Sequence, residues 1–137
     1  MTVLATESTR LSGVVKYEFE PALGYTRESV VINDPTAQTY KVGAVLGKIT
    51  ASGKYRLALS ASADGSQTPA GVYIADGMGL SGDLAVAAAT DTKAVAITRG
   101  PVIFADAGLQ LGTGITLAAV KTAFAAINPQ MIVETAV

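Results

Sequence analysis

Near the start of the chain apolar and charged residues alternate strictly: Val15, Tyr17 and Phe19 are apolar, and Lys16, Glu18 and Glu20 are charged. Successive side chains of an extended chain point to opposite sides, so the pattern predicts a strand carrying its three apolar residues on one face. Pro21 ends it. The dozen residues before Val15 are polar and rich in Ser and Thr, which fits an arm that becomes a strand on meeting a partner edge. An ordinary edge strand of the same domain fits these residues equally well.

Farther along, short apolar runs are separated by turn signals. Thr39 to Leu46, Tyr55 to Ser60, Ala70 to Ala75, Leu84 to Ala88, Lys93 to Thr98 and Val102 to Phe104 read as strands. Ala51-Ser52-Gly53, Asp64-Gly65-Ser66, Asp76-Gly77, Asp91-Thr92 and Gly100-Pro101 divide them. Regular spacing of this kind favours a mostly β domain. Tyr55, Leu57 and Leu59 should share one side of their strand, and Val95 and Ile97 one side of theirs. The period changes at Leu117 to Ile127, where Leu117, Val120, Phe124 and Ile127 recur at helical spacing behind Thr116, a natural N-cap. Asn128-Pro129 stops this helix, and Met131-Ile132-Val133 reads as a closing strand. The expected organisation is an extended N-terminal arm over residues 1–20 and a single β-rich domain over 21–137, with one or two short helices.

Composition narrows the function more than the fold. In 137 residues, half are apolar and 15% are charged, against roughly 25% charged in an average soluble domain. A chain of this length can bury a real core without staples. It contains no His, Cys or Trp, which excludes zinc fingers, His or Cys catalytic zinc sites, Ser-His-Asp triads and Cys nucleophiles. Without cysteine the redox compartment leaves no trace. Ten basic residues scattered from Arg10 to Lys121 and a net charge of -1 give no basic face for nucleic acid. The mean hydropathy is +0.41, yet the longest uncharged run, Ala107 to Val120, is 14 residues with three glycines, short of the roughly 20 that a membrane span needs. Residues 1 to 13 include Glu7 and Arg10 and lack the apolar core of a secretory signal, so the expectation is a soluble chain made and kept in the cytoplasm. High apolarity with little charge fits a surface partly hidden against other subunits, and it fits an Ala-rich monomer equally well.

Gly77-Met78-Gly79-Leu80-Ser81-Gly82 spells G-x-G-x-x-G after a strand, but too few residues follow for a crossover helix and no acidic residue ends the next strand. A glycine-rich loop is the expected reading, with no cofactor. Asp64, Asp76, Asp83, Asp91 and Asp106 offer carboxylates for acid-base work or a hard metal ion; all lie in turn-like surroundings, where a carboxylate bonds to nearby backbone N–H groups. Ser52-Gly53-Lys54 lacks the burial that would lower a lysine pKa, and Arg99-Gly100-Pro101 reads as a strand exit. No catalytic, cofactor or metal residue is assigned.

Several stretches, taken in order, resemble a known family. Asp64-Gly65-Ser66-Gln67-Thr68-Pro69-Ala70-Gly71-Val72, Ile97-Thr98-Arg99-Gly100-Pro101-Val102-Ile103, and Lys121-Thr122-Ala123-Phe124-Ala125 followed by Met131-Ile132-Val133 are similar to the lambda-type bacteriophage head decoration proteins. Tyr40-Lys41-Val42-Gly43-Ala44-Val45-Leu46-Gly47-Lys48-Ile49, with Glu20-Pro21 and Tyr25-Thr26-Arg27-Glu28 before it, resembles prophage-encoded members. The resemblance covers roughly residues 16 to 135. It implies a non-catalytic structural protein with a mostly β, β-clip or β-tulip-like compact domain of short strands. It also implies a homotrimer on the outer surface of the expanded head, at local three-fold positions, clamping neighbouring copies of the major capsid protein. The arm would order on the capsid, and Val15, Tyr17 and Phe19 are the residues assigned to it here. The chain departs from the lambda member in lacking Trp and His and in its longer charged N-terminal region. A small β-rich carbohydrate- or ligand-binding surface module, which needs exposed aromatics, is the alternative; a carboxylate enzyme using Asp76 or Asp106 ranks third.

Overall fold

Turn chemistry cuts the chain into short extended pieces. The Asp64 carboxylate accepts hydrogen bonds from the Ser66 backbone N–H (3.0 Å) and hydroxyl (2.5 Å), and Asp76 accepts from the N–H groups of Met78 (2.9 Å) and Leu80 (3.0 Å). These are the local side-chain-to-backbone bonds expected of Asp in turns. The computed structural model describes residues 11–135. Its strands are β1 (Val15–Glu18), β2 (Arg27–Ile32), β3 (Gln38–Tyr40), β4 (Val45–Lys48), β5 (Tyr55–Leu57), β6 (Pro69–Asp76), β7 (Leu84–Val86), β8 (Thr92–Ile97), β9 (Val102–Ala105) and β10 (Met131–Glu134). One α-helix, α1 (Leu117–Ile127), precedes β10.

Five strands close into a barrel in the order β2-β5-β4-β6-β8, with β8 returning to β2. All neighbours in it are antiparallel except β2 and β5, which meet in parallel at Ile32 and Tyr55. Closure leaves the barrel no free edge to pair with. Beside it lies a three-stranded sheet, β1-β9-β10, in which β9 runs antiparallel to β1 and parallel to β10. β3 and β7 form a separate antiparallel pair. The fold is mostly β, as expected.

The single strand expected over Thr39 to Leu46 is two, β3 and β4. Gly43 has φ +102°, and a Cβ there would strike the Gly108 carbonyl, so the chain turns where only glycine fits. Ala44 N–H closes this turn on the Lys41 carbonyl at 2.9 Å. β2 was not legible, because its charged start, Arg27-Glu28, places it inside the most charged part of the chain. On β8, Val95 is only half-buried whereas Ala94 and Ala96 are fully buried.

Helix α1 has the expected limits. The Thr116 hydroxyl accepts from Ala119 N–H at 3.1 Å, capping the first turn. Val120 and Phe124 are buried, with the Phe124 ring 5.7 Å from that of Phe104 on β9. The helix packs on β6 and β10, so one apolar cluster joins the barrel to the outer sheet. Tyr40, Tyr73, Phe104 and Phe124 are its largest fully buried side chains. Ile127, expected on the core face, is 45% exposed.

Tyr40 and Asp34 satisfy each other inside this core, whereas the buried Arg56 Nε has no hydrogen-bond partner among the described residues. The Tyr40 hydroxyl donates to the buried Asp34 carboxylate at 2.6 Å and accepts from Leu57 N–H at 2.7 Å. Asp34 also accepts from Thr36 N–H and the Gln38 side chain. Burial and the adjacent Asp34 push the Tyr40 phenol well above the ordinary tyrosine range.

Candidate functional site

The alternating segment at the N-terminal end does form a strand, and it is an edge. β1 pairs with β9 on one side only. The sheet register places Val15 opposite Phe104, Tyr17 opposite Ile103 and Glu18 opposite Val102. Lys16 is therefore an extra residue, a β-bulge, and it breaks the period of two. Val15 takes the buried side of β9 with Phe104, whereas Tyr17 takes the opposite side with Ile103. The expected common face for Val15, Tyr17 and Phe19 is thus corrected: Val15 is half-buried, and Tyr17 and Phe19 are the outward members, 50% and 38% exposed.

Glu18 also departs from the expected solvent side. Its side chain is only 5% exposed, paired with the buried side of β9 through Val102. Arg27 holds it with two bonds, Nε at 2.7 Å and a terminal guanidinium nitrogen at 2.8 Å, and the Thr26 hydroxyl donates at 2.6 Å. Burial alone would raise this carboxyl. The bonds from Arg27 and Thr26, with the Arg27 charge, outweigh it and hold the Glu18 pKa below its ordinary value. Arg27 is raised in turn, chiefly by the same bond. The clasp fastens the end of β1 to the start of β2.

Between the two clasped strands the chain reverses through a short 3-10 turn, Pro21–Leu23, flanked by Glu20 at φ 49° and Gly24 at φ 65°. This brings Tyr25 back against Phe19, ring edge to ring face at 5.3 Å and 86°. Leu23 and Tyr25 are 80% and 52% exposed. With Tyr17 and Phe19 they make a run of four large apolar side chains, close in sequence and open to solvent. Beside β1 runs a shallow groove of about 440 Å³ whose lining includes Leu11, Val15, Lys16, Tyr17, Glu18 and Pro21. The expected arm therefore divides: residues 11–20 are joined to the body by β1 and its clasp, and residues 1–10 lie outside the described residues. Leu23, Tyr25 and the Glu18–Arg27 pair were missed because nothing in the spacing signals a turn that folds residue 25 onto residue 19.

The other candidates are structural where they are described. Asp91 accepts from Asn33 (2.7 Å) and pairs with Lys54 (2.9 Å), which hold its carboxyl below the usual range. Asp64 is lowered first by the Ser66 hydroxyl. Asp106 accepts from the Thr135 hydroxyl at 3.0 Å. The Ser52 hydroxyl accepts from Lys54 N–H at 3.3 Å across its turn, and Arg99 Nε donates to the Tyr25 carbonyl at 2.6 Å. Among the described residues no group of three or more Asp or Glu is placed to hold a metal ion, and no helix is long and apolar enough to cross a membrane. What this geometry offers is adhesion: an edge of backbone with apolar side chains around it.

Compared with known proteins, the chain matches neither a curated protein nor a solved structure. The family model for the bacteriophage lambda head decoration protein D matches residues 4–132. Proteins of that family are structural and non-enzymatic, and they stabilise the phage capsid from its surface in the virion. A match over nearly the whole length, on a mostly β body with an adhesive edge, means that this chain belongs to the lambda head decoration protein family.

Proposed function

We propose that the chain works as a homotrimer seated at local three-fold positions of the expanded head, where each copy grips the major capsid protein through its N-terminal segment. Residues 1–20 are the capsid-contacting part and residues 21–137 the body. The observation that supports this most is the single-sided pairing of β1 beside exposed Tyr17, Phe19, Leu23 and Tyr25. An edge strand can add to a partner sheet, main-chain hydrogen bonds giving affinity and side chains giving register. Of the three residues first assigned, Tyr17 and Phe19 face the partner, and Val15 anchors β1 to its own sheet. Three such edges on one trimer convert weak single contacts into firm attachment through effective concentration. If only the expanded lattice offers the matching edge, mass action stabilises that lattice against rupture. Family membership, rather than the aromatics, favours capsid decoration over a carbohydrate-binding module.

Co-sedimentation with expanded and unexpanded empty heads of the parent phage tests the proposal. Wild type should pellet with expanded heads only, and Tyr17→Ser/Phe19→Ser should lose at least tenfold in affinity while remaining folded. Molar salt should leave most binding intact, because few charges are neutralised on docking. Binding to neither head type would refute the proposal, and near-complete release by salt would refute the apolar interface. Deleting residues 1–20 is the wrong probe, since it would remove the fully buried Val14 and β1 itself.

A further inference from the structure

Two surface features outside the β1 edge are suited to joining one copy to another. The first is the loop between β6 and β7. Met78 is 86% and Leu80 65% exposed, yet the loop that carries them is firmly built. Asp76 receives N–H bonds from both residues, Asp76 N–H donates to the Leu80 carbonyl at 3.0 Å, and the Ser81 hydroxyl donates to the Ile74 carbonyl at 2.8 Å. At the loop's far side the Tyr73 hydroxyl donates to the Gly82 carbonyl at 2.8 Å. Two long apolar side chains are thus held out into water on a braced support. Bracing the backbone in advance lowers the cost of ordering the loop on docking, while the rotamer freedom of the two side chains is still lost.

The second feature is a groove of about 500 Å³ between α1 and the segment entering β6, floored by Pro69 and walled by Ala119, Thr122, Ala123 and Ala126. Gln67 borders it too; the α1 side is made of short side chains, which leaves a shallow, mostly apolar depression that a longer side chain can cover. The only charged residue of α1 is the exposed Lys121. The loop carries the opposite sign: residues 76–83 include Asp76 and Asp83 and no cation. Both carboxylates are felt by Tyr73, whose phenol is pushed up to about 12, first by burial and then by these two charges. Lys93 backs Gly77 at the loop's base rather than its tip.

Prong and groove lie at opposite ends of the eight-residue β6, about 20 Å apart at the usual rise of a strand. One copy therefore does not fill its own groove. A contact between two different patches is heterologous, the kind that closes into a ring when the rotation between copies fits. We propose that Met78 and Leu80 of one copy enter the α1 groove of the next copy, joining three chains head to tail. This rests on the trimer reading of the proposed function.

The absence of cysteine gives a clean test. Met78→Cys and Ala119→Cys single variants, mixed and treated with a short bis-maleimide, should yield a covalent dimer that neither variant yields alone. The double variant should yield a closed covalent trimer. Alongside, Met78→Ser/Leu80→Ser should shift the solution mass from trimer to monomer with an unchanged circular dichroism spectrum. A trimeric mixture that gives no such dimer overturns this interface and leaves the trimer reading standing. A wild-type chain that stays monomeric at high concentration overturns both. If the serine variant stays trimeric but no longer binds heads, the prong is a capsid contact and the inference is wrong.

Discussion

Replacing Arg27 by Leu isolates the clasp that holds β1 to the body. In the native protein the Glu18 side chain is 5% exposed and that of Arg27 30%. Removing the guanidinium leaves a buried carboxylate with the Thr26 hydroxyl as its remaining side-chain donor. Breaking a fully buried pair costs about 3–5 kcal/mol, and bonds to charged groups contribute about 1.5–3 kcal/mol. Because Arg27 is partly solvated, about 2–3 kcal/mol is expected, roughly 10 °C in melting temperature for a chain of this size. The pH dependence has a definite sign. The Glu18 pKa is depressed in the folded state from an ordinary value of 4.5, so its stabilisation is present above that value and fades as pH falls through the lower, folded one. The gap between wild type and Arg27→Leu should therefore narrow between pH 7 and pH 3. Glu18→Leu/Arg27→Leu, which removes both charges, should recover most of the loss at pH 7. Thermal melts followed by circular dichroism measure all three. A single variant melting within about 2 °C of wild type would mean that the pair is worth no more than a surface ion pair. A double variant as unstable as the single one would refute the buried-charge argument.

Two other outcomes follow from the core. Phe124→Ala should cost about 3–5 kcal/mol, because it empties a fully buried position against Phe104; denaturant unfolding checks it, and a loss below about 1 kcal/mol would place the helix outside the core. In an alkaline titration followed by tyrosinate absorbance, Tyr40 and Tyr73 should stay protonated past pH 11, since both are raised. An acid raised in the folded state stabilises below its unfolded value, so stability should decline as pH climbs above about 10, and all five tyrosines ionising together near pH 10 without unfolding would contradict it.

How far the sequence is legible depends on how local the deciding interaction is. Helix α1 was readable to the residue because its cap, Thr116, and its stop, Asn128-Pro129, are neighbours of the helix they bound. Turn aspartates were readable for the same reason, since Asp64 and Asp76 bond within four residues of themselves. The β1 face was misread because a bulge depends on the register with β9, almost ninety positions away. An alternating pattern assumes that the register is unbroken. Glu18 looked like a solvated charge because its partner is made by a turn at Pro21–Leu23 that no short motif announces. β2 was hidden by Arg27 and Glu28, one of which is bound in the clasp and the other exposed. Function was legible through the order of whole segments along the chain, not through any one residue, as befits a protein that adheres by surface rather than reacting at a point.

The most direct test of docking through the β1 edge is backbone hydrogen exchange, measured on the free protein and on the protein bound to expanded heads. Docking through this edge predicts strong new protection at the β1 amides that do not already bond to β9, with smaller changes across the barrel and little change at Phe19, whose N–H already donates to the Pro101 carbonyl at 3.0 Å. Protection confined to other segments, with β1 exchanging as freely on the capsid as in solution, would contradict it.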